Sequence, residues 1–406
     1  MDKAVCERVG LSADRLGRID GWMQRWVDSG RLAGMSVLVS RRGQIAYESC
    51  YGQSDRERGT AMSPETIVRI YSMTKPLTSV ALMMLYEEGR FQLDDPIHAV
   101  LPAFRQTRVW DGEGRDPVPL ARPISYRDLL THTSGLTYGF MNATPVDAMY
   151  RSGGVDFQTA DATLGEVVDK AAAMPLLAQP GAAWNYSIAT DVIGHLVAEI
   201  SGMSFATFLH DRVIAPLGMS DTAFTVAPGK VSRFAANYSR GEDGRAALLD
   251  DPVTSRFVTR DTKAGAIASG GGGLTGTARD YLRFCQMMLA KGTTADGERL
   301  LGRKTVELMT SNHLGGDMAA MGMPRFSESK YDGVGFGLGF SIMLDPAKAE
   351  ILGTPGEFAW GGAASTAFWV DPVEDMAVVL LTQLTPSSTY PIRRELRVLT
   401  YASVVD

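Results

Sequence analysis

The chain has 406 residues, 45% hydrophobic and 21% charged, with a formal net charge of −6. That length suffices for one large or two closely joined domains with a well-filled core. The mild acidity, with both signs mixed along the sequence, argues against nucleic acid and an anionic membrane surface and leaves a small molecule as the expected partner.

Residues 1–26 are charged throughout and lack the apolar core of a signal peptide, and no stretch approaches the apolar length of a membrane span. The three cysteines, Cys6, Cys50 and Cys285, are odd in number and far apart, with neither a disulfide framework nor zinc spacing. Free thiols fit a reducing compartment, so the expectation is a cytoplasmic protein.

From Ser12 to Asp28, Leu16, Ile19, Trp22 and Trp26 recur at helical spacing. Two β-rich runs follow, Gly34–Ser40 and Gln44–Cys50, separated by Arg41, Arg42 and Gly43, which predicts a hairpin. Ser72 to Gly89 reads as a strong helix, with Leu77, Val80, Ala81, Met84 and Leu85 as its stripe and Gly89 as its stop. Residues from about 100 to 250 are richer in helices and loops. There a second clear helix runs from about Ser187 to Ile200, with Ser187 or Asn185 as its cap. Three strands are then predicted, over Gly335–Leu344, Ala363–Val370 and Met376–Leu381, the last two joined by a turn at Asp371–Asp375, before a closing helix over residues 392–405. Short connections imply antiparallel neighbours. The early hairpin and the late strands thus belong to one sheet covered by the terminal helices, with the helical middle inserted as a second lobe.

The sharpest chemical motif is Ser72-Met73-Thr74-Lys75, at the mouth of the first strong helix. A spacing of three puts both side chains on one helical face. A serine hydroxyl needs a neighbour that takes its proton, and a lysine does so only as a free amine, a state that apolar burial favours in general. The helix amides also favour a developing oxyanion. The same pattern recurs at Ser327–Lys330, in a polar stretch that opens no apolar helix, and is read as chance.

Two further elements stand in order behind it: Trp184-Asn185-Tyr186-Ser187 before the second helix, and Trp360-Gly361-Gly362 where a strand is predicted to begin. Together with Tyr71–Lys75, and with Leu129–Leu136, Ser269–Leu274 and Tyr331–Phe340, they resemble the serine β-lactamase and penicillin-recognising superfamily, in the version found in family VIII carboxylesterases. The resemblance spans nearly the whole chain.

It implies an α+β, β-lactamase/transpeptidase-like fold: residues 1–100 and 265–406 form a lobe with an antiparallel sheet, and 101–264 a mostly helical lobe, with the active site between them. It further implies a serine esterase acting on small or short-chain carboxylic esters. Ser72 would form the acyl-enzyme, and Lys75 and Tyr186 would be its proton-transfer partners, titrating as a pair. The backbone N–H groups of Ser72 and Ala363 would form the oxyanion hole.

Where β-lactamases of this superfamily carry an asparagine in the second motif and a lysine at the start of the third, this chain has Ile188 and Trp360. Apolar bulk there suits a neutral ester better than an anionic amide. Tyr138 and Phe140 are expected, with Trp360, Gly361, Gly362 and Ile188, to line the pocket. Acyl transfer to an alcohol uses the same chemistry and is the alternative activity; a β-lactamase or D-alanyl peptidase is a further one.

His132 is read as a loop anchor, and His195 as a packed helix residue. His98, His210 and His313 show no ligand spacing, no H-E-x-x-H or G-x-S-x-G is present, and no Gly-Lys-Ser/Thr follows Gly270–Gly273. Neither metal nor organic cofactor is implied.

Overall fold

The computed structural model describes residues 2–155, 162–258, 268–322 and 330–406. The predicted N-terminal helix is broken at Gly17 into a single turn, Ala13–Leu16, and α1 (Arg18–Asp28). The hairpin follows as β1 (Gly34–Arg41) and β2 (Gln44–Asp55), with β3 (Thr60–Ala61) on the outside of β2. Next come α2 (Thr74–Glu87), α3 (Ala189–Ser201) and α4 (Ala278–Leu289). The remaining strands are β4 (Val334–Phe336), β5 (Ser341–Met343), β6 (Phe358–Gly361), β7 (Ala367–Asp371) and β8 (Met376–Thr382), before α5 (Ile392–Tyr401).

These strands form one eight-stranded sheet in the order β4-β5-β6-β7-β8-β1-β2-β3, antiparallel at every step. The first and last parts of the chain meet in its middle, where Met35 pairs with Thr382 and Arg41 with Met376. Every residue of β1 and β8 is buried, because both faces of the sheet are covered. Met35, Val37 and Val39 pack with Trp22, Met23 and Leu396 beneath the terminal helices. Leu38, Val379 and Leu381 face the larger core, which includes α2 and α4. The indoles of Trp22 and Trp26 both donate to Glu395, at 2.6 and 2.8 Å, and so lock α1 to α5.

Three expectations change. The run Gly335–Leu344 is not one strand but the hairpin β4–β5, closed by Gly337 N–H on the Phe340 carbonyl. Gly339 makes the turn with a φ of +100°, and a side chain there would run into Ser79. Trp360 lies inside β6, which pairs on through Gly361, rather than opening a strand. Residues 362–366 turn, and β7 begins only at Ala367. The closing helix stops at Tyr401.

Between the first strands and α4 the described residues form helices, loops and short strand pairs, and residues 237–250 make a small hairpin that pairs with Leu384–Thr385. Among the described residues, no single helix is long and apolar enough to cross a membrane.

Candidate active site

Helix α2 is buried at every residue from Thr74 to Leu85, so the polar side chains in its first turns must find partners inside the protein. Thr74 Oγ1 accepts from Leu274 N–H, and Thr78 Oγ1 donates to the Gly270 carbonyl. The Gly270–Gly273 run is therefore backbone packed against the start of α2. Just upstream, Tyr71 holds a φ of +43°, a costly conformation for an aromatic residue, in the 3-10 turn that carries Ser72. Its ring is fixed edge-on to Phe257, and its hydroxyl accepts from Asn237.

Lys75 is 2% exposed and its Nζ has three oxygen neighbours: Ser72 Oγ at 3.4 Å, the Tyr138 hydroxyl at 3.0 Å and the Gly271 carbonyl at 2.6 Å. It also lies over the Tyr186 ring, 4.5 Å from the centroid. The serine and lysine of the motif are thus together, as their spacing predicts.

Tyr186 precedes α3, which starts at Ala189 with Ile188 at the N-cap. Of the two predicted caps, Ser187 Oγ accepts from Ala189 N–H, whereas Asn185 is turned away to donate to the Leu136 carbonyl. His132 fixes this segment. Its carbonyl accepts from Asn185 N–H and its Nδ1 lies 3.2 Å from Ser187 Oγ, so Tyr186 is held from both sides. Complete burial, with Lys75 close by, pushes the His132 imidazole well below its ordinary pKa, so it serves as a neutral anchor. The Tyr186 hydroxyl accepts from the Trp360 indole N–H at 3.4 Å, which joins the second motif to the third.

The turn after Trp360 closes the site. Gly362 N–H bonds to the Thr366 carbonyl and Ser365 N–H returns to the Gly362 carbonyl. A side chain at Gly362 would strike the Ile70 carbonyl and Thr366 Oγ1, so glycine lets this turn press against the segment leading to Ser72. Among the described residues, the Ala363 N–H has no hydrogen-bond partner.

Two clefts meet at Ser72 and Ala363. The larger, about 480 Å³, is walled by Tyr186, Trp360, Tyr331 and Phe368 and reaches Met343 and Ile351. The second, about 440 Å³, runs the other way past Tyr138, Ile188 and Val155. Phe140, 48% exposed and stacked on Tyr138, borders both.

Sequence reasoning placed Tyr138 only as a wall and overlooked its bond to Lys75. Burial, with Asp191 and Tyr186 adding to it, holds this phenol well above the usual range. Asp191 was missed altogether. It is 1% exposed, accepts from Ser269 Oγ at 2.5 Å and from Gly271 N–H at 3.0 Å, and so fixes the loop whose carbonyl faces Lys75. Burial pushes its carboxyl up, while Lys75 pulls it down. The available signal was a carboxylate one helical turn after Ile188, at the edge of an apolar stripe. Of the second S-x-x-K, Ser327 lies outside the described residues.

A serine at the mouth of a buried helix, a lysine one turn on, and a tyrosine and a glycine turn across the cleft define a serine hydrolase site on a β-lactamase-like fold. The Beta-lactamase family model matches residues 19–402, and the chain belongs to that family. Protein Rv1367c of Mycobacterium tuberculosis is 36% identical, covering 88% of each chain. Esterase EstB of Burkholderia gladioli is 32% identical, covering 91% of each. Among solved structures, EstCE1, described as a hydrolase with promiscuous acyltransferase activity, superposes with a TM-score of 0.82 at 28% identity, over 96% of this chain and 99% of its own.

Proposed function

We propose that this protein is a carboxylesterase that cleaves small neutral esters through an acyl-enzyme on Ser72. The observation that carries the reading is Lys75 Nζ bonded to Ser72 Oγ, with the Ala363 N–H, unpartnered among the described residues, across the same cleft mouth. The reaction requires the free-amine form of Lys75, whose two N–H groups would stay on Gly271 and Tyr138 while its lone pair takes the Ser72 proton. Ser72 Oγ attacks the ester carbonyl carbon, and the carbonyl oxygen becomes an oxyanion held by the N–H groups of Ser72 and Ala363. The alkoxide leaves with a proton from the Lys75–Tyr186 pair. Water then adds to the acyl-enzyme carbonyl and gives its proton to the same pair; the intermediate collapses, Ser72 Oγ leaves with that proton, and the acid is released. The resting Lys75–Ser72 distance is long for a hydrogen bond and is expected to tighten with substrate bound.

Ile188 and Trp360 support an ester over a β-lactam, since both are apolar walls where an anionic amide would need polar partners. The esterase names of EstB and EstCE1 agree. In this reading the cleft divides a sheet lobe, 1–100 and 265–406, from a mostly helical lobe, 101–264; that second boundary falls outside the described residues. The two clefts that converge on Ser72 also favour a second activity, acyl transfer to an alcohol arriving through one of them while the other holds the acyl chain.

The test is turnover of p-nitrophenyl esters of increasing chain length by wild type and Ser72→Ala, with nitrocefin alongside and an added alcohol acceptor in parallel. Ester turnover lost in Ser72→Ala, with little nitrocefin opening, supports the proposal. Activity retained by Ser72→Ala overturns it, and a preference for nitrocefin overturns the inference from Ile188 and Trp360. Ester product formed with the acceptor present establishes the transfer reaction.

A further inference from the structure

The oxyanion turn is held by a residue from the far end of the chain. Arg393, the second residue of α5, donates from Nη2 to the carbonyls of Gly362 and Thr366, both at 2.8 Å. The Gly362 carbonyl and the Ala363 N–H are the two ends of one peptide unit. That carbonyl also accepts from Ser365 N–H at 3.1 Å, so it carries two hydrogen bonds, one of them from a cation. Hydrogen bonds to the oxygen of an amide draw electron density from its nitrogen and strengthen the N–H as a donor.

The neighbouring sequence is shaped around the same guanidinium. A Cβ on Gly361 would lie 2.7 Å from Arg393 Nη2, 2.8 Å from its Cζ and 2.8 Å from the Thr366 carbonyl oxygen, so glycine at this position makes room both for the guanidinium and for the backbone it binds. The third motif's two glycines thus have separate duties. Gly362 admits the turn against Ile70, and Gly361 admits Arg393 together with the Thr366 carbonyl.

We infer that Arg393 is a positioning residue for the oxyanion hole: it fixes and polarises the Gly362–Ala363 peptide so that the Ala363 N–H meets the developing oxyanion as an aligned, strengthened donor. The inference rests on the esterase reading, in which Ala363 is that donor. Outright loss of such a donor typically costs about 10²–10³ in kcat. Loss of its support alone is expected to cost about tenfold.

The experiment compares Arg393→Gln and Arg393→Lys with wild type on p-nitrophenyl butyrate. It also measures Ki for an alkyl trifluoromethyl ketone, which adds to a serine to give a tetrahedral oxyanion. The expected result is a kcat about tenfold lower in Arg393→Gln with KM within about twofold, a Ki raised by a similar factor, and partial recovery in Arg393→Lys. A wild-type Ki in Arg393→Gln would overturn the inference, as would losses spread equally over kcat and KM with no recovery in lysine. If Arg393→Gln does not fold, Arg393→Lys is read by the same Ki criterion. Ser72→Ala separates the two levels: should it retain turnover, the esterase reading itself fails, whatever the arginine variants do.

Discussion

The hydroxyl of Tyr138 lies 3.0 Å from Lys75 Nζ, so the lysine of the first motif is shared between Ser72, the proposed nucleophile, and a phenol 63 positions further along the chain. Tyr138→Phe removes that partner while keeping the ring stacked beneath Phe140. A hydrogen bond to a charged or proton-sharing group is worth about 1.5–3 kcal/mol. A fall of about ten- to a hundredfold in kcat/KM is therefore expected, with little change in the acyl-chain profile. Steady-state kinetics on two chain lengths decide it. A change below twofold would mean that Tyr138 is only a wall, and a shift in chain preference would assign it to substrate binding.

Ile188 is 1% exposed and forms part of the wall of the second cleft. Ile188→Ala is expected to lower stability by about 2–5 kcal/mol through the cavity it opens. It should also move the preferred p-nitrophenyl ester toward longer or bulkier acids. An unchanged profile, with the stability loss present, would place the acyl chain in the cleft beside Trp360 instead.

Gly362 has no room for a β-carbon between Ile70 and Thr366. Gly362→Ala should therefore displace the turn that carries the proposed oxyanion donor and reduce kcat by about a hundredfold or more, the scale of losing one such donor. The far-UV spectrum should stay native, because the turn lies beyond the paired residues of β6. Activity within about threefold of wild type would show that Ala363 is not an oxyanion donor.

Acid stability supplies a fourth test. Asp221 is ion-paired to Arg233 at 2.6 Å and Lys230 at 2.8 Å, and the arginine foremost holds its carboxyl down at about 2. A depressed carboxylate contributes stability that is complete above its unfolded value, about 3.9, and is lost as pH falls toward 2. Its partners are about one-third exposed, so the contribution is on the order of 1–2 kcal/mol. Urea midpoints measured from pH 5 down to pH 2.5 should fall less steeply in Asp221→Asn than in wild type. Parallel curves would refute the pairing.

What could be read in advance follows from distance along the chain. Ser72 and Lys75 share one helical turn, so their spacing placed them together. The all-buried strands β1 and β8 announced themselves as runs such as Val37-Leu38-Val39 and Val378-Val379-Leu380. Local apolar runs did not reveal where a strand folds back, and so Gly335–Leu344 was read as one strand although Gly339 turns it into two. The partners that tune the site were out of reach for a different reason. Asp191 is 80 positions from the Gly271 amide it holds, and Arg393 is 31 from the Gly362 carbonyl. Such pairs exist only once helices and strands have packed, and no periodicity encodes them.

The sheet order bears on how the chain is made. β1 lies between β2 and β8, and the bond from Thr382 Oγ1 to the Gly34 carbonyl joins residues 348 positions apart. At about 5–20 residues per second, a ribosome takes on the order of tens of seconds to travel from one to the other. Throughout that interval the β1–β2 hairpin is finished but one flank of β1, rich in valine and leucine, has nothing to pair with. Exposed apolar strand edges invite pairing with other nascent chains. Productive folding of the nascent chain therefore depends on keeping that edge from other partners until residues 376–382 emerge.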